Sequence, residues 1–235
     1  MQLSPLYQLL IFIEDRKEAS LDDLKFLSPA VLRGILGKME AMKLVEKSNS
    51  VIKISKEGQN LLNNTLDYLH EKTIHWDGKW RFVSFSIPEP KRSLRDKLRR
   101  FLEEKGAKMV FNGLWISPLD ISSGLTIFSK KSGIFKKILI IESNEISTGI
   151  TKEELQTLWN FDSSKQDIYQ FINKAEIFLK QRIRDSFEVK KIIFEYALIL
   201  KSQPKLPIEL FPSDWPQFRA GISYRKVKRL LTQKV

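Results

Sequence analysis

The side chains of this sequence that are best placed to do chemistry are cations and small polar groups that can bind phosphate. A helix predicted to begin at Ser28-Pro29 carries Arg33 and Lys38 on its outer side, and a predicted hairpin follows it directly. Arginine, lysine, serine and asparagine are side chains that contact DNA phosphates and base edges. Simple solvation is the alternative for each lysine. We expect six DNA-binding residues: Ser28, Arg33, Lys38, Lys47, Asn49 and Lys53.

The charge of the whole chain favours the same kind of partner. The 235 residues carry a formal net charge of +12, and the pI is near 9.7, which favours a polyanion, nucleic acid first. Residues 1–27 are acidic on balance, whereas residues 28–56 carry six cations against two acids. The sign of the charge therefore changes where the phosphate-binding helix is predicted to begin. Many basic proteins do not bind DNA, so composition alone is equally compatible with cations that simply face solvent.

The pattern of the first 75 residues is typical of a winged helix. Apolar residues recur at helical spacing over residues 5–15, and Ser20 can cap a short second helix over residues 21–26. The third helix follows Pro29, a residue that is favoured in the first turn. Residues 43–54 form two short strands around a tight turn, and a fourth helix runs from about residue 55 to residue 69. Three helices, a hairpin and a helix give the winged-helix order.

Two glycines, Gly34 and Gly37, lie on the outer side of the third helix. Each costs about 1 kcal/mol relative to alanine, so some benefit should offset them. One interpretation is that a strip of small residues lets the helix approach DNA closely. The other, which we favour for each glycine taken singly, is that the strip packs against the second helix.

Residues 76–118 organise the centre of the chain. A strand pattern over residues 80–87 ends at Pro88 and Pro90, because proline cannot donate to a strand ladder. A helix over residues 91–105 follows, and Asn112-Gly113 then marks a hairpin between two further strands. A second helix over residues 120–133 and a last strand over residues 136–142 complete a βαββαβ order, which is ferredoxin-like.

The first helix of this centre is the most basic element of the sequence. Its polar face carries four arginines, which could bind the phosphates of an effector, bind DNA phosphates or simply face solvent. No glycine-rich phosphate loop decides between these alternatives. The candidates are Arg92, Arg95, Arg99 and Arg100.

No metal site or cofactor is expected. The two histidines, His70 and His75, are five residues apart, which places their rings about 140° apart on a helix, and no third ligand is evident. The absence of cysteine excludes disulfides and thiolate sites. We expect a cytoplasmic protein without a membrane segment, because the N-terminus lacks the charged head of a signal peptide and no apolar run approaches about 18 residues.

The last third of the sequence is predicted to be helical. Helices are predicted over residues 152–159, 167–187, 189–201 and 218–231, with a proline-rich segment at 204–216. The fold class is therefore α+β. We predict an N-terminal winged helix-turn-helix domain (1–70), a central βαββαβ ferredoxin-like domain (71–145) and an all-helical C-terminal domain (146–235).

Three separated blocks of the sequence, 76–118, 158–171 and 206–216, resemble the PaaX-type family, the bacterial repressors of phenylacetic acid catabolism. The signature pieces are the runs 76–81 and 113–118, Leu158-Trp159-Asn160-Phe161 and the proline-rich run ending in Trp215-Pro216. The resemblance implies a winged helix, a ferredoxin-like domain akin to the small CRISPR-adaptation subunit, and a helical C-terminal domain. It also implies an acyl-coenzyme A effector, whose phosphates would suit the four arginines.

The leading hypothesis is a transcriptional repressor. It would bind a palindromic operator in double-stranded DNA as a homodimer and be released by a small acidic effector such as an acyl-coenzyme A. The rival is a metal-dependent nuclease acting through the central domain. The related small CRISPR-adaptation subunit carries an aspartate at the end of the first strand, which could hold a metal for phosphodiester cleavage. Here Glu89 is the only carboxylate near that position. A third alternative is an adaptor that binds protein through its helical domain.

Overall fold

The fold was analysed in a computed structural model, which describes residues 3–48, 50–146, 149, 151, 154, 157–182 and 185–232. It confirms the α+β class, with two antiparallel sheets and a helical C-terminal region. The chain forms two compact units. Unit 1 comprises Met1–Glu71, Lys165–Gln203 and Pro216–Val235, and unit 2 comprises Lys72–Ser164 and Pro204–Trp215. The three-domain division stays a prediction. The two units are defined by contacts between residues, and each combines stretches that are separate in the sequence.

The N-terminal part of unit 1 has the order of a winged helix. Its first elements are α1 (Pro5–Arg16), β1 (Glu18–Ser20) and a 3₁₀ turn at Asp22–Leu24. They are followed by α2 (Pro29–Ala41), β2 (Val45–Ser48), β3 (Val51–Ile54) and α3 (Lys56–Leu66). The strands form an antiparallel sheet in the order β1-β3-β2. The helix predicted over residues 21–26 is thus only one 3₁₀ turn, and β1 was not predicted.

The later helices of unit 1 are α6 (Phe161–Leu179), which enters the unit at Lys165, α7 (Ser186–Ser202) and α8 (Gln217–Thr232). The prediction of one helix over residues 167–187 is wrong. The N–H groups of Lys180 and Gln181 bond the carbonyls of Ile177 and Phe178 at 3.1 Å, three residues back, and this tighter turn follows the end of α6.

One apolar core joins the winged helix to α7. It contains fully buried residues of α1, α2, β3 and α3, together with Phe187 and Phe194 of α7. Because two phenylalanines of a distant segment complete this core, α7 helps to hold the helices that position α2. The buried side chains contributed by the winged helix include Leu9, Leu10, Ile13, Met39, Ile52 and Leu62.

Unit 2 is built on a four-stranded antiparallel sheet. Its strands are β4 (Trp80–Phe85), β5 (Lys108–Phe111), β6 (Leu114–Ser117) and β7 (Ile138–Ser143). Helix α4 (Arg92–Glu104) connects β4 to β5, and α5 (Ser122–Lys131) follows β6. The sheet order is β5-β6-β4-β7, which is the ferredoxin-like order predicted from the βαββαβ pattern.

The two faces of this sheet support separate cores. Val83 and Trp115 pack with residues of α4 and α5, whereas Trp80 and Ile116, which alternate with them, belong to an aromatic core. The signature pieces of the three blocks meet in that aromatic core. Trp159 donates from Nε1 to the carbonyl oxygen of Gly106 at 3.1 Å. The aromatic residues of this core are Trp76, Trp80, Phe82, Trp159, Phe161, Phe211 and Trp215.

Candidate nucleic-acid interface

Helix α2 presents one buried side and one open side. Leu36 and Met39 are buried on the inner side, while Arg33 and Lys38 are exposed on the outer side. Neither cation has an ion pair or side-chain hydrogen bond in the part of the chain that the structure describes. Ser28 occupies the N-cap with an extended backbone, but its hydroxyl makes no capping bond. The predicted residues of α2 therefore have polar groups available to an external partner.

The glycines of α2 face open space. A Cβ placed on Gly34 or Gly37 meets no described atom within 4 Å beyond the helix's own backbone and chain neighbours. The interpretation that we favoured from the sequence, packing against the second helix, is therefore wrong. The short second element is a 3₁₀ turn, and it brings no atom to this strip. What remains is a strip without side chains between two exposed cations, where another molecule can approach the backbone.

The wing residues differ in their surroundings. Lys47 is opposite Ile52 and Lys53 is opposite Glu46 in the ladder between β2 and β3. Because side chains alternate along a strand, Lys47 and Lys53 point to opposite faces of the wing. Lys53 also has an ion pair with Glu18 of β1, at 3.1 Å. Asn49 lies outside the described residues.

Paired charges hold α7 against α1, which packs in the same core as α2. Lys190 donates to Glu14 at 2.7 Å and lies 3.0 Å from Asp15. Burial lowers the pKa of Lys190, but the hydrogen bonds to both carboxylates outweigh burial and raise it above its usual value. Arg16 donates to Asp185 at 2.9 Å. The cations of this junction are therefore used within unit 1, in contrast to those of α2.

The arginines of α4 are mostly matched by carboxylates. Arg92 and Arg99 lie 4.0 Å and 3.8 Å from the oxygens of Asp96, and Arg95 lies 2.9 Å from Glu89. Arg100 is exposed and has no ion pair with the described residues. The four predicted effector-binding residues are on one helix, but three of them face a competing carboxylate.

The rival nuclease has little support from Glu89. Its carboxylate is exposed and ion-paired with Arg95, at the start of a 3₁₀ turn after β4. Within the described ranges, no group of three or more His, Cys, Asp or Glu side chains is placed to hold a metal ion. His75 bonds Glu209 through Nδ1 at 2.9 Å, and this bond is the main cause of the lowered pKa of Glu209.

A buried charge cluster in unit 2 was missed by the sequence analysis. Arg81 is almost fully buried, and its guanidinium donates to both carboxylate oxygens of Asp77 and, at 3.4 Å, to Glu142. Lys79 bonds the other oxygen of Glu142 at 3.2 Å. The hydrogen bonds from Arg81 are the main cause that lowers the pKa of Asp77 to about 2. The sequence did carry a signal for this cluster, because charged residues occupy every second position from Asp77 to Arg81. Their charges are used in contacts within unit 2.

Membrane insertion through a helix has no support in this fold. None of the helices in the described ranges combines the length and the apolarity that crossing a bilayer requires.

Comparisons with known proteins agree on the fold. Residues 73–155 match the family described as "PaaX protein central Cas2-like domain". The solved structure of the uncharacterized protein Rv0674 from Mycobacterium tuberculosis superposes with a TM-score of 0.53 and 16% sequence identity, over 88% of this chain and 83% of that chain. At this identity the likeness shows the fold alone. No curated protein matches the chain.

Proposed function

We propose that this chain is a DNA-binding transcriptional regulator of the PaaX type whose helix α2 enters the major groove, because residues 73–155 match the central domain of that family. A regulator at the level of the family is what its central domain indicates. The observation that carries the finer proposal is the outer side of α2, where Arg33 and Lys38 are exposed without ion pairs beside two open glycines. Arginine and lysine at such a surface reach base edges and phosphates, while glycine permits close approach.

The remaining contacts follow from the wing and from the start of α2. Ser28 has a free hydroxyl at the helix N-terminus, which suits a phosphate oxygen. Lys47 is exposed on the wing, and we keep Asn49 as a proposed neighbour at the turn. Lys53 contributes least, since its ammonium group already has an ion pair with Glu18.

We assign the protein a repressor role as a homodimer on a palindromic operator. Two copies of α2 related by a twofold axis would read half-sites about one helical turn apart. A small acidic effector such as an acyl-coenzyme A would shift the dimer away from the operator-binding arrangement. On α4, Arg100 is the arginine best placed to bind its phosphates, because it has no carboxylate partner among the described residues.

Selection of bound duplexes from random DNA tests the proposal directly. An inverted repeat would support both DNA recognition and twofold symmetry, whereas enrichment of no sequence would contradict operator recognition. On the selected duplex, Arg33→Ala with Lys38→Ala should weaken binding about 10–100-fold and reduce the salt slope by about 2, because two phosphate-region cations are lost.

A matched variant separates this effect from general charge loss. Lys180→Ala with Lys201→Ala removes the same two charges from exposed positions elsewhere in unit 1. We expect its affinity to stay within about twofold of the parent. Equal losses in both variants would mean that the net charge of the unit, rather than α2, supports binding.

A further inference from the structure

Helix α8 carries the most one-sided charge of the described helices. Its 16 residues contain five cations and no aspartate or glutamate. Ala220, Ser223 and Val227 are buried, whereas every cation is exposed. The helix thus packs through small residues and presents a cationic face, formed by Arg219, Arg225, Lys226, Lys228 and Arg229.

The charges of this cationic face are left unmatched. None of the five residues has an ion pair in the described part of the chain, and Lys228 lies only over the ring of Tyr224, at 5.8 Å. Arg225 and Arg229 are four residues apart, a spacing at which like charges destabilise a helix. A face that served only for solubility would be more stable with acids interspersed.

In three other helices of this protein, α4, α6 and α7, acids lie close to the basic residues. In α4, Asp96 is close to two arginines, and in α7, Glu188 accepts from Lys191 at 2.8 Å. On α6, Lys174 donates to the buried Glu195 of α7. The cationic face of α8 departs from this pattern, so a ligand that supplies the negative charge is a better explanation than solvation.

Helix α8 is attached firmly to the unit that contains α2. The ring of Tyr224 stacks on Tyr196 of α7 with centroids 5.0 Å apart, and Gln217 donates to the hydroxyl of Tyr196 at 3.2 Å. Helix α7 in turn shares the core of the winged helix through Phe187 and Phe194. The cationic face and the proposed DNA-binding helix α2 therefore belong to one compact unit.

From this placement we propose that the cationic face of α8 binds the phosphate backbone of operator DNA outside the two half-sites. The inference rests on the proposed function, because it requires α2 to bring unit 1 to the duplex. Arginine and lysine without competing carboxylates gain most from phosphate, and such contacts add affinity that depends on salt but not on sequence. The face would thus lengthen the bound duplex without changing the sequence that is read.

The test compares two duplexes that carry the same selected operator. One ends at the outer edges of the half-sites, and the other extends about one helical turn beyond each edge. For the parent protein, the longer duplex should bind at least tenfold more tightly. Changing four cations of α8 to glutamine should abolish this gain and reduce the salt slope of binding to the long duplex by about 2–4. The affinity for the short duplex should stay unchanged. The four substitutions are Arg225→Gln, Lys226→Gln, Lys228→Gln and Arg229→Gln.

Two controls keep the result interpretable. Lys97→Gln, Lys131→Gln, Lys180→Gln and Lys201→Gln remove the same number of charges from exposed positions outside α8 and should preserve the gain from the longer duplex. The double variant Arg225→Gln with Arg229→Gln should lose about half of the salt-slope difference, which covers the case in which the fourfold variant fails to fold.

The outcomes separate this inference from the proposed function. If the long duplex binds the fourfold α8 variant as tightly as the parent, the inference is overturned while operator binding through α2 stands. If the parent protein binds no duplex, both fall. If the variant loses binding of coenzyme A but keeps its affinity for the long duplex, the face holds a soluble phosphate ligand, and the assignment to DNA is overturned.

Discussion

The cations of unit 1 and unit 2 are used differently. In unit 2, Arg81 is buried against Asp77 and Glu142, and three of the α4 arginines lie near carboxylates. In unit 1, ion pairs join α1 to α7 and also engage Lys25 and Lys53, while the cations of α2 and of the cationic face of α8 lack ion pairs within the described residues. Helices α4 and α8 each carry five cations, so the number of cations does not distinguish them as phosphate-binding elements. The number of cations without an ion pair to a described carboxylate ranks α8 above α4.

This difference has an energetic basis. An ion pair that is already formed must be separated before its cation can bind a phosphate, so matched arginines gain less from a ligand. An exposed cation without a partner gives up only water. The comparison therefore predicts structural effects when the charges of unit 2 are changed, and binding effects when those of α2 or α8 are changed.

The largest effect on stability is expected at the buried cluster of unit 2. Asp77→Asn should lower the free energy of unfolding of unit 2 by about 2–3 kcal/mol, because the Arg81 side chain is only 4% exposed and loses its main charged partner. Asp77 is half exposed and Glu142 remains, so the loss should be smaller than for a fully buried pair. Chemical denaturation followed by tryptophan fluorescence would measure it.

The matched control for this substitution is Asp96→Asn on α4. Asp96 lies near Arg92 and Arg99 at longer distances and at an exposed surface, so we expect a loss below about 0.5 kcal/mol. Equal losses in the two variants would mean that the charges of unit 2 are not divided between a structural cluster and a loosely paired helix.

The same cluster should make stability depend on acid pH. The pKa of Asp77 is lowered from 3.8 to about 2, so the folded form binds fewer protons than the unfolded form between these values. Its stabilising contribution is complete above about pH 4 and is lost as the pH falls towards 2. Unfolding midpoints measured across this range should fall with acid. The fall should be shallower in Asp77→Asn, and identical slopes would argue against the assignment.

Much of unit 2 could be predicted from the sequence, because its signals are local. Strand alternation, the helical spacing of leucines in α4 and the Asn112-Gly113 turn each specify a neighbouring element. The convergence of residues 76–81, 158–161 and 206–216 on one aromatic core is not local, but resemblance to a family identified those blocks. In the structure, the bulky rings of these distant blocks pack together in that one core.

The site of unit 1 could be predicted only in part, because its decisive features depend on tertiary packing. Arg33 and Lys38 follow from helical spacing, but the open surroundings of Gly34 depend on how short the second element is. The strand β1 has only three residues and no apolar alternation, so its strand conformation depends on pairing with β3. The pairing of Arg95 with Glu89 requires the 3₁₀ turn before α4, which propensity alone does not specify.

A smaller effect on stability, of opposite sign, is expected on α2. Gly34→Ala and Gly37→Ala should each stabilise unit 1 by up to about 1 kcal/mol, because alanine favours a helix and its methyl group meets only open space. Gly34→Leu should keep most of that gain but weaken operator binding at least tenfold, by preventing close approach of the duplex. Thermal unfolding and fluorescence anisotropy with labelled duplex would measure the two effects.

Gly58→Ala is the control for the glycine substitutions. A Cβ at Gly58 would lie 2.2 Å from the carbonyl oxygen of Leu44, so this change should destabilise unit 1 even though it also replaces a helical glycine. If Gly34→Ala destabilised unit 1 to the same degree, the outer side of α2 would be packed rather than open, and the contrast with unit 2 would disappear.

The smallest effect is expected where the sequence shows the densest charge. Arg92→Gln with Arg99→Gln should leave operator affinity within about twofold and the free energy of unfolding within about 1 kcal/mol, since both arginines lie near Asp96 at an exposed surface. Because the two substitutions remove as much charge as Arg33→Ala with Lys38→Ala, net charge is matched between the variants. Titration of the same duplex at two salt concentrations would compare them. A tenfold loss of affinity in the α4 variant would show that weakly paired arginines still reach the phosphates, and that freedom from a carboxylate does not identify the DNA-binding surface.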